Sequence, residues 1–157
     1  MITRVIHREL CSISSDTINK QLINYNGLFS SANEILFQER TKKLKRIRPP
    51  SKNEIKNKPL SSQSASVLVP LIMVDNQPAL LFTERSRTLK THAGEVCYPG
   101  GKFDSRYDEN LTNTALRETE EELGIDRNLF QIWETLPPLK SRNGKSLITP
   151  VVALLKV

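Results

Sequence analysis

Two apolar runs split by a turn constrain this chain most. They are Ser66-Val67-Leu68-Val69-Pro70-Leu71-Ile72-Met73-Val74 and Ala79-Leu80-Leu81-Phe82-Thr83-Glu84-Arg85, separated by Asp75-Asn76-Gln77-Pro78. Each is far shorter than the ~18 apolar residues a membrane helix needs. β-branched content and flanking turn residues instead predict paired strands, most simply a hairpin. Further strands are expected at Gly94–Tyr98, at about Phe130 to Leu136 and at Leu147–Leu155, the last two joined through Arg142-Asn143-Gly144-Lys145. Asn110 to Leu123 predicts a helix, with Leu111, Ala115, Thr119 and Leu123 on or near one face and Gly124 as its stop.

The 157 residues suit one domain with an extension. The net charge of +6 is uneven: residues 1–60 hold 12 Lys/Arg against 5 Asp/Glu, and residues 61–157 hold 11 against 12. The basic cluster Arg40, Lys42, Lys43, Lys45, Arg46 and Arg48 reads as a solvated helix end rather than a phosphate-binding patch. No aromatic residues interleave with it as stacking platforms, so no nucleic-acid partner is expected. Cys11 and Cys97 lie far apart without a CxxC pair, so neither a disulfide framework nor a zinc cluster is indicated and a reducing compartment fits. Three parts are expected. In residues 1–29, Ile2, Val5, Ile6 and Leu10 share a helical face with Arg4 and Arg8 elsewhere, and serines follow. This resembles a mitochondrial transit peptide, whereas Glu9 and Asp16 favour a disordered tail. Residues 30–63 predict a helix opened by a Ser31/Glu34 capping box, with Ile35, Leu36, Leu44 and Ile47 as its apolar positions, then a Pro-, Ser- and Lys-rich linker. Residues 64–157 are expected to form the folded domain.

Within the helix, Arg117-Glu118-Thr119-Glu120-Glu121-Glu122-Leu123-Gly124-Ile125 packs four glutamates into five positions. At 100° per residue, Glu118, Glu121 and Glu122 share an arc of about 100° while Glu120 points to the far side. Like charges at i, i+3 and i+4 destabilise a helix by a few tenths of a kcal/mol per pair, about 0.2–0.5, so the trio calls for a counter-ion. Oxygen ligands on a rigid helix suit Mg²⁺ or Mn²⁺. Taken alone, such a cluster is more often a solvated acidic face. Its frame alters that reading, because Gly100 and Gly101 precede the helix and would let backbone N–H groups approach an anion.

These residues resemble the Nudix hydrolase family, whose signature is G-x5-E-x7-R-E-U-x-E-E-x-G-U with U apolar. Glu109 and the run from Arg117 to Ile125 satisfy it, with Thr119 a mild departure. Counting back from Glu109 reaches Phe103 instead of glycine, so the loop from Gly101 is two residues longer than the signature. The resemblance implies that Glu118, Glu121 and Glu122 bind Mg²⁺ or Mn²⁺, that one of them, taken as Glu121, assists water deprotonation, and that Arg117 orients the carboxylates. The alternative for Arg117 is an ordinary surface pair with Glu121.

The preceding segment, with Arg85, Ser86, Lys90, His92, Gly94 and Tyr98-Pro99-Gly100-Gly101, is similar to the coenzyme A pyrophosphatase branch, Lys90 standing where arginine is more usual. Arg85, Lys90, His92, Gly100 and Gly101 are the substrate-binding residues this implies. Cleavage of CoA or acyl-CoA to 3′,5′-ADP and a 4′-phosphopantetheine follows, in a mitochondrial or else a cytoplasmic or peroxisomal setting. The alternatives are hydrolysis of another nucleoside diphosphate derivative and a catalytically inactive binding module. The implied fold is an α/β/α sandwich around a mixed sheet. Members of the branch continue past the strand matching Leu147–Leu155 into a second helix, so the domain is expected to be incomplete.

Overall fold

The computed structural model describes residues 4–9, 29–47, 64–75, 77–88, 92–142 and 144–156. Its elements are β1 (Arg4–Glu9), α1 (Ser31–Ile47), β2 (Ser64–Val74), β3 (Gln77–Glu84), β4 (Val96–Cys97), β5 (Gly100–Lys102), α2 (Leu111–Leu123), a 3-10 turn (Arg127–Leu129), β6 (Phe130–Thr135), β7 (Leu139–Lys140) and β8 (Leu147–Leu155). The two apolar runs form the expected antiparallel hairpin β2–β3, in register Leu71 with Leu80 and Val74 with Gln77.

The sheet runs β1-β3-β2-β8-β6, with β4 on β3, β5 on β2 and β7 on β8. Its mixed character comes from β2 and β8, which are parallel from Ser64/Leu147 to Leu71/Leu154. Parallel neighbours need a crossover rather than a tight turn, and α2 lies within that connection, packed on one face of β2, β5 and β8. Pro70 sits inside β2, where a missing N–H would normally break a ladder. Here β2 meets β5 only as far as Val67 and β3 only from Leu71. Leu68 N donates to Pro99 O between them at 2.9 Å. Two residues on, Pro70 faces the same gap and forfeits no pairing.

The core lies beneath α2. Leu68 of β2, Val151 and Ala153 of β8 and Phe130 of β6 enclose Ala115, and a second cluster of Ile72, Ala79 and Leu81 packs under Leu123 and Ile125. Thr119 is fully buried among them, and its hydroxyl donates to Ala115 O at 2.6 Å. This intrahelical bond is why threonine serves where the signature has an apolar residue.

α1 packs on the other face of β6. Phe130 and Ile132 point to α2, whereas Gln131 donates to Glu34 at 2.7 Å and Trp133 meets the rings of Phe29 and Phe37, each at 6.0 Å between centroids. The expected capping box does not form. Ser30 Oγ, not Ser31, accepts from Asn33 N at 3.4 Å, and Glu34 is drawn across to Gln131. Ile35 and Leu36 are exposed, because the face turned to β6 carries Glu34, Phe37, Gln38 and Thr41. Leu44 and Ile47 side chains, and the expected linker at 49–63, lie outside the described residues. At the N-terminus Arg4–Glu9 is a strand paired with β3, not part of a helical face. Its β-branched Val5 and Ile6 suit a ladder as well as a helix face, and the open edge of β3 supplies the partner. No helix among the described residues is long and apolar enough to cross a membrane.

Candidate active site

α2 is fixed at both ends. Asn110 accepts from Asn113 N at 2.9 Å as its N-cap, and Gly124, at φ 69°, donates its N–H to Glu120 O at 2.8 Å. With Ala115 and Thr119 buried, the face carrying Arg117, Glu118, Glu121 and Glu122 is turned to the rim of the sheet at β5. Glu120 lies on the other side, as its phase requires, and pairs with Arg127, whose Nε donates to Glu120 Oε2 at 2.7 Å.

Arg117 is the centre of the site. Its Nε donates to Asp108 Oδ1 at 2.8 Å and its Nη2 to Asp108 Oδ2 at 3.1 Å. Nη2 also reaches Glu118 Oε1 at 2.9 Å and Lys102 O at 3.3 Å, while Nη1 reaches both oxygens of Glu121 at 3.1 and 3.2 Å. These acidic partners, Asp108 first, hold the guanidinium well above its ordinary pKa. The Asp108 side chain is fully buried. Arg117 is also the main reason its carboxyl stays below the usual range, against the effect of burial.

The glycines permit the close approach. A Cβ on Gly101 would stand 2.3 Å from Glu118 Cδ, so only glycine leaves room for that carboxylate against β5. At Gly100, φ is 152° and a Cβ would lie 2.3 Å from Ser66 O. Gly100 N donates to Glu122 Oε2 at 3.3 Å. Burial pushes the Glu122 carboxyl up; the Gly100 amide opposes this, Glu118 and Glu121 add to it, and Arg85 draws it down.

Convergence of Glu118, Glu121 and Glu122 is thus only partial. Among the described residues no three acidic, His or Cys side chains are gathered closely enough to hold an ion. Mutual repulsion sends each carboxylate to its nearest donor, Arg117 for Glu118 and Glu121 and the Gly100 amide for Glu122. The donor chemistry nevertheless fits a hard divalent cation: three oxygen-only side chains on one helix face, one of them in a space a Cβ would fill.

Of the expected substrate-binding residues, Gly100 and Gly101 adjoin the carboxylates. Arg85 is exposed at the end of β3 and acts electrostatically on Glu122. His92 stands apart: its Nδ1 lies 2.9 Å from Glu95 Oε2, and its φ of 56° is left-handed. Two backbone bonds close that loop, Arg85 N to Glu95 O and Gly94 N to Arg85 O. Lys90 lies outside the described residues. Cys97 is half-buried, with Sγ 3.3 Å from Thr83 Oγ1.

Sequence reasoning missed Asp108. The signature frame points to Glu109, which is exposed and makes none of these contacts.

A family profile for the NUDIX domain matches residues 63–152, more than half of the chain. Nudix hydrolase 3 of Caenorhabditis elegans is 42% identical over 92 residues, 59% of this chain and 38% of the worm protein. A mouse protein named mitochondrial coenzyme A diphosphatase NUDT8 is 48% identical over 91 residues, 57% of this chain and 42% of its own length. The Nudix hydrolase NudL of Photorhabdus laumondii is 45% identical over 95 residues, 60% of this chain and 49% of its own. The chain therefore spans less than half of each of these curated relatives. In fold it is similar to the crystal structure of RenU, a Nudix hydrolase from M. smegmatis, with a TM-score of 0.50 at 20% identity over 62% of this chain and 63% of that one.

Proposed function

Because the chain belongs to the Nudix family, we propose that it hydrolyses the diphosphate bond of CoA or acyl-CoA, giving 3′,5′-ADP and the corresponding 4′-phosphopantetheine. The observation that carries this reading is the seating of Glu118 against Gly101, with Arg117 bridging to Glu121. A surface acidic face needs neither a missing Cβ nor a half-buried arginine bound to a buried aspartate.

Glu118, Glu121 and Glu122 are the residues that would hold Mg²⁺ or Mn²⁺, and Nudix hydrolases generally use divalent metal ions. Such an ion, when bound, neutralises phosphate oxygens and lowers the pKa of water. The protein supplies the rest. Arg117 shares its charge between Glu118 and Glu121 and fixes their directions. Glu121, the most exposed of the three, is the choice for accepting the proton of the attacking water. Arg85 offers a cation beside Glu122 for a substrate phosphate, and Lys90 is proposed to add a second. Gly101 leaves room for the Glu118 carboxylate and Gly100 for the backbone of β2, and His92, held by Glu95, is proposed to meet the substrate from its own loop.

Support for CoA as substrate is the Arg85-to-Gly101 segment together with identity to the mouse diphosphatase. The test is turnover of a panel comprising CoA, acetyl-CoA, ADP-ribose, a nucleoside diphosphate sugar and a dinucleotide, each with Mg²⁺ and with Mn²⁺. CoA species should give the highest kcat/KM. A higher value for another compound would overturn the substrate, and no turnover of any would overturn the enzyme reading. A mitochondrial setting belongs to the same proposal, supported by the mouse relative's name. A fusion of residues 1–30 to a fluorescent reporter that stays in the cytosol would refute it.

A further inference from the structure

We infer that Asp108, not the signature-aligned Glu109, is the positioning residue that sets the direction of Arg117 and through it of Glu118 and Glu121. The inference rests on the proposed reading of those glutamates as the metal-holding group. Asp108 touches neither of them; it acts only through the arginine.

The argument is one of donors and degrees of freedom. A guanidinium has five N–H groups in a rigid plane. Nε and one hydrogen of Nη2 are taken bidentately by Asp108, which fixes the plane. The remaining hydrogens then point toward β5 and the helix face, where they reach Glu118, Glu121 and, more distantly, Lys102 O. Asp108 is itself held. Its Oδ2 accepts from Thr114 Oγ1 and from Asp104 N, each at 3.0 Å. Thr114 is fully buried in the first turns of α2, so the carboxylate is tied to the helix it serves. Asp104 is pinned by Arg106, whose N and Nε each donate to its Oδ1 at 3.0 Å. Glu109, one residue later, faces solvent. The turn from Asp104 to Asp108 places the shorter acid, one position earlier, on its buried side.

Partners that orient metal-holding groups typically change metal affinity or activity by about 10- to 100-fold when removed. The test uses the full chain as wild type, Asp108→Asn, Asp108→Glu, Glu109→Gln, Arg117→Lys and the Asp108→Asn/Arg117→Lys double variant. Two readouts are taken: kcat and KM for a diphosphate that the wild type hydrolyses, and Mn²⁺ affinity from the electron paramagnetic resonance of free Mn²⁺. Asp108→Asn should lower kcat by about 10- to 100-fold with KM changed no more than about twofold, and should weaken Mn²⁺ binding. Asp108→Glu should recover part of both, and Glu109→Gln should match the wild type. The double variant should be no worse than Arg117→Lys alone, because the two residues act in series. Additive losses, or Glu109→Gln as damaging as Asp108→Asn, would overturn the inference. If Asp108→Asn does not fold, the comparison of Asp108→Glu with Glu109→Gln decides it in the same way. A wild type that binds no Mn²⁺ and hydrolyses nothing would defeat the metal reading and this inference together. A competent wild type with an unimpaired Asp108→Asn would defeat this inference alone.

Discussion

Alanine at Gly100 and at Gly101 should have opposite effects on fold and function, although the residues are adjacent. At Gly101 the three atoms nearest the added Cβ all belong to Glu118, with Cδ at 2.3 Å and each oxygen at 2.5 Å. The far end of a side chain can move, so the carboxylate swings away and gives up the 2.9 Å bond from Arg117. A hydrogen bond to a charged group contributes about 1.5–3 kcal/mol, part of which water replaces, leaving a loss of about 1–2 kcal/mol. For a chain of this length that lowers Tm by roughly 2–8 °C. Gly100 differs because its Cβ would meet backbone, Ser66 O at 2.3 Å and Val67 Cα at 2.6 Å, in the middle of the sheet. Its φ of 152° adds strain of about 1–3 kcal/mol, and overpacking adds about 1–3 more. Thermal melting and Mn²⁺ titration of both variants check this. Gly101→Ala should keep most of its stability yet lose activity by up to about 100-fold, the scale of a 1 Å misplacement. Gly100→Ala should melt substantially lower than Gly101→Ala. Gly101→Ala with kcat and Mn²⁺ affinity within twofold of wild type, or the reverse order of melting, would refute the reasoning.

Three other expectations concern separate parts of the molecule. Glu121→Gln and Glu122→Gln should abolish most turnover, whereas Glu120→Gln should keep most of it and lose at most about 1 kcal/mol from its partly exposed pair with Arg127, measured by urea denaturation. Asp108 has a folded-state pKa below its ordinary value of 3.8, so its stabilisation is present above that value and is lost as pH falls through the folded pKa. Urea midpoints of wild type and Asp108→Asn should therefore approach one another as pH drops below 3.8, and a constant gap would contradict the assignment. Trp133 is buried, and its Nε1 has no hydrogen-bond partner among the described residues. Trp133→Phe removes that orphan donor and should change stability by less than about 1.5 kcal/mol, against about 3–5 for Trp133→Ala, with circular dichroism melts as the measure.

Local patterns carried the elements that depend on neighbours in sequence. The β2–β3 hairpin follows from two apolar runs and their turn, and the span of α2 from its apolar face and Gly124 as its stop. The outward direction of Glu120 follows from helical phase alone. What was not legible depends on distant partners. β5 is too short and glycine-rich to carry strand propensity, and it exists because β2 offers Ser66 and Val67 to pair with. Glu34 suits a local cap, yet Gln131, 97 residues away, claims it. Asp108 was hidden for the same reason. Its importance lies in burial beneath Arg117 and Thr114, and nothing in its spacing distinguishes it from Glu109. His92 matched a sequence pattern, but Glu95 holds its ring within its own loop.

The most direct test of the central claim is ³¹P NMR of CoA incubated with the full chain, with Mg²⁺ or Mn²⁺ and again with a chelator in excess. The account predicts that the diphosphate resonances disappear only with the metal, replaced by two phosphomonoester signals beside the retained 3′-phosphate, and that Glu122→Gln leaves them intact. Diphosphate resonances that persist with metal present, or that vanish equally in the chelator, would contradict it.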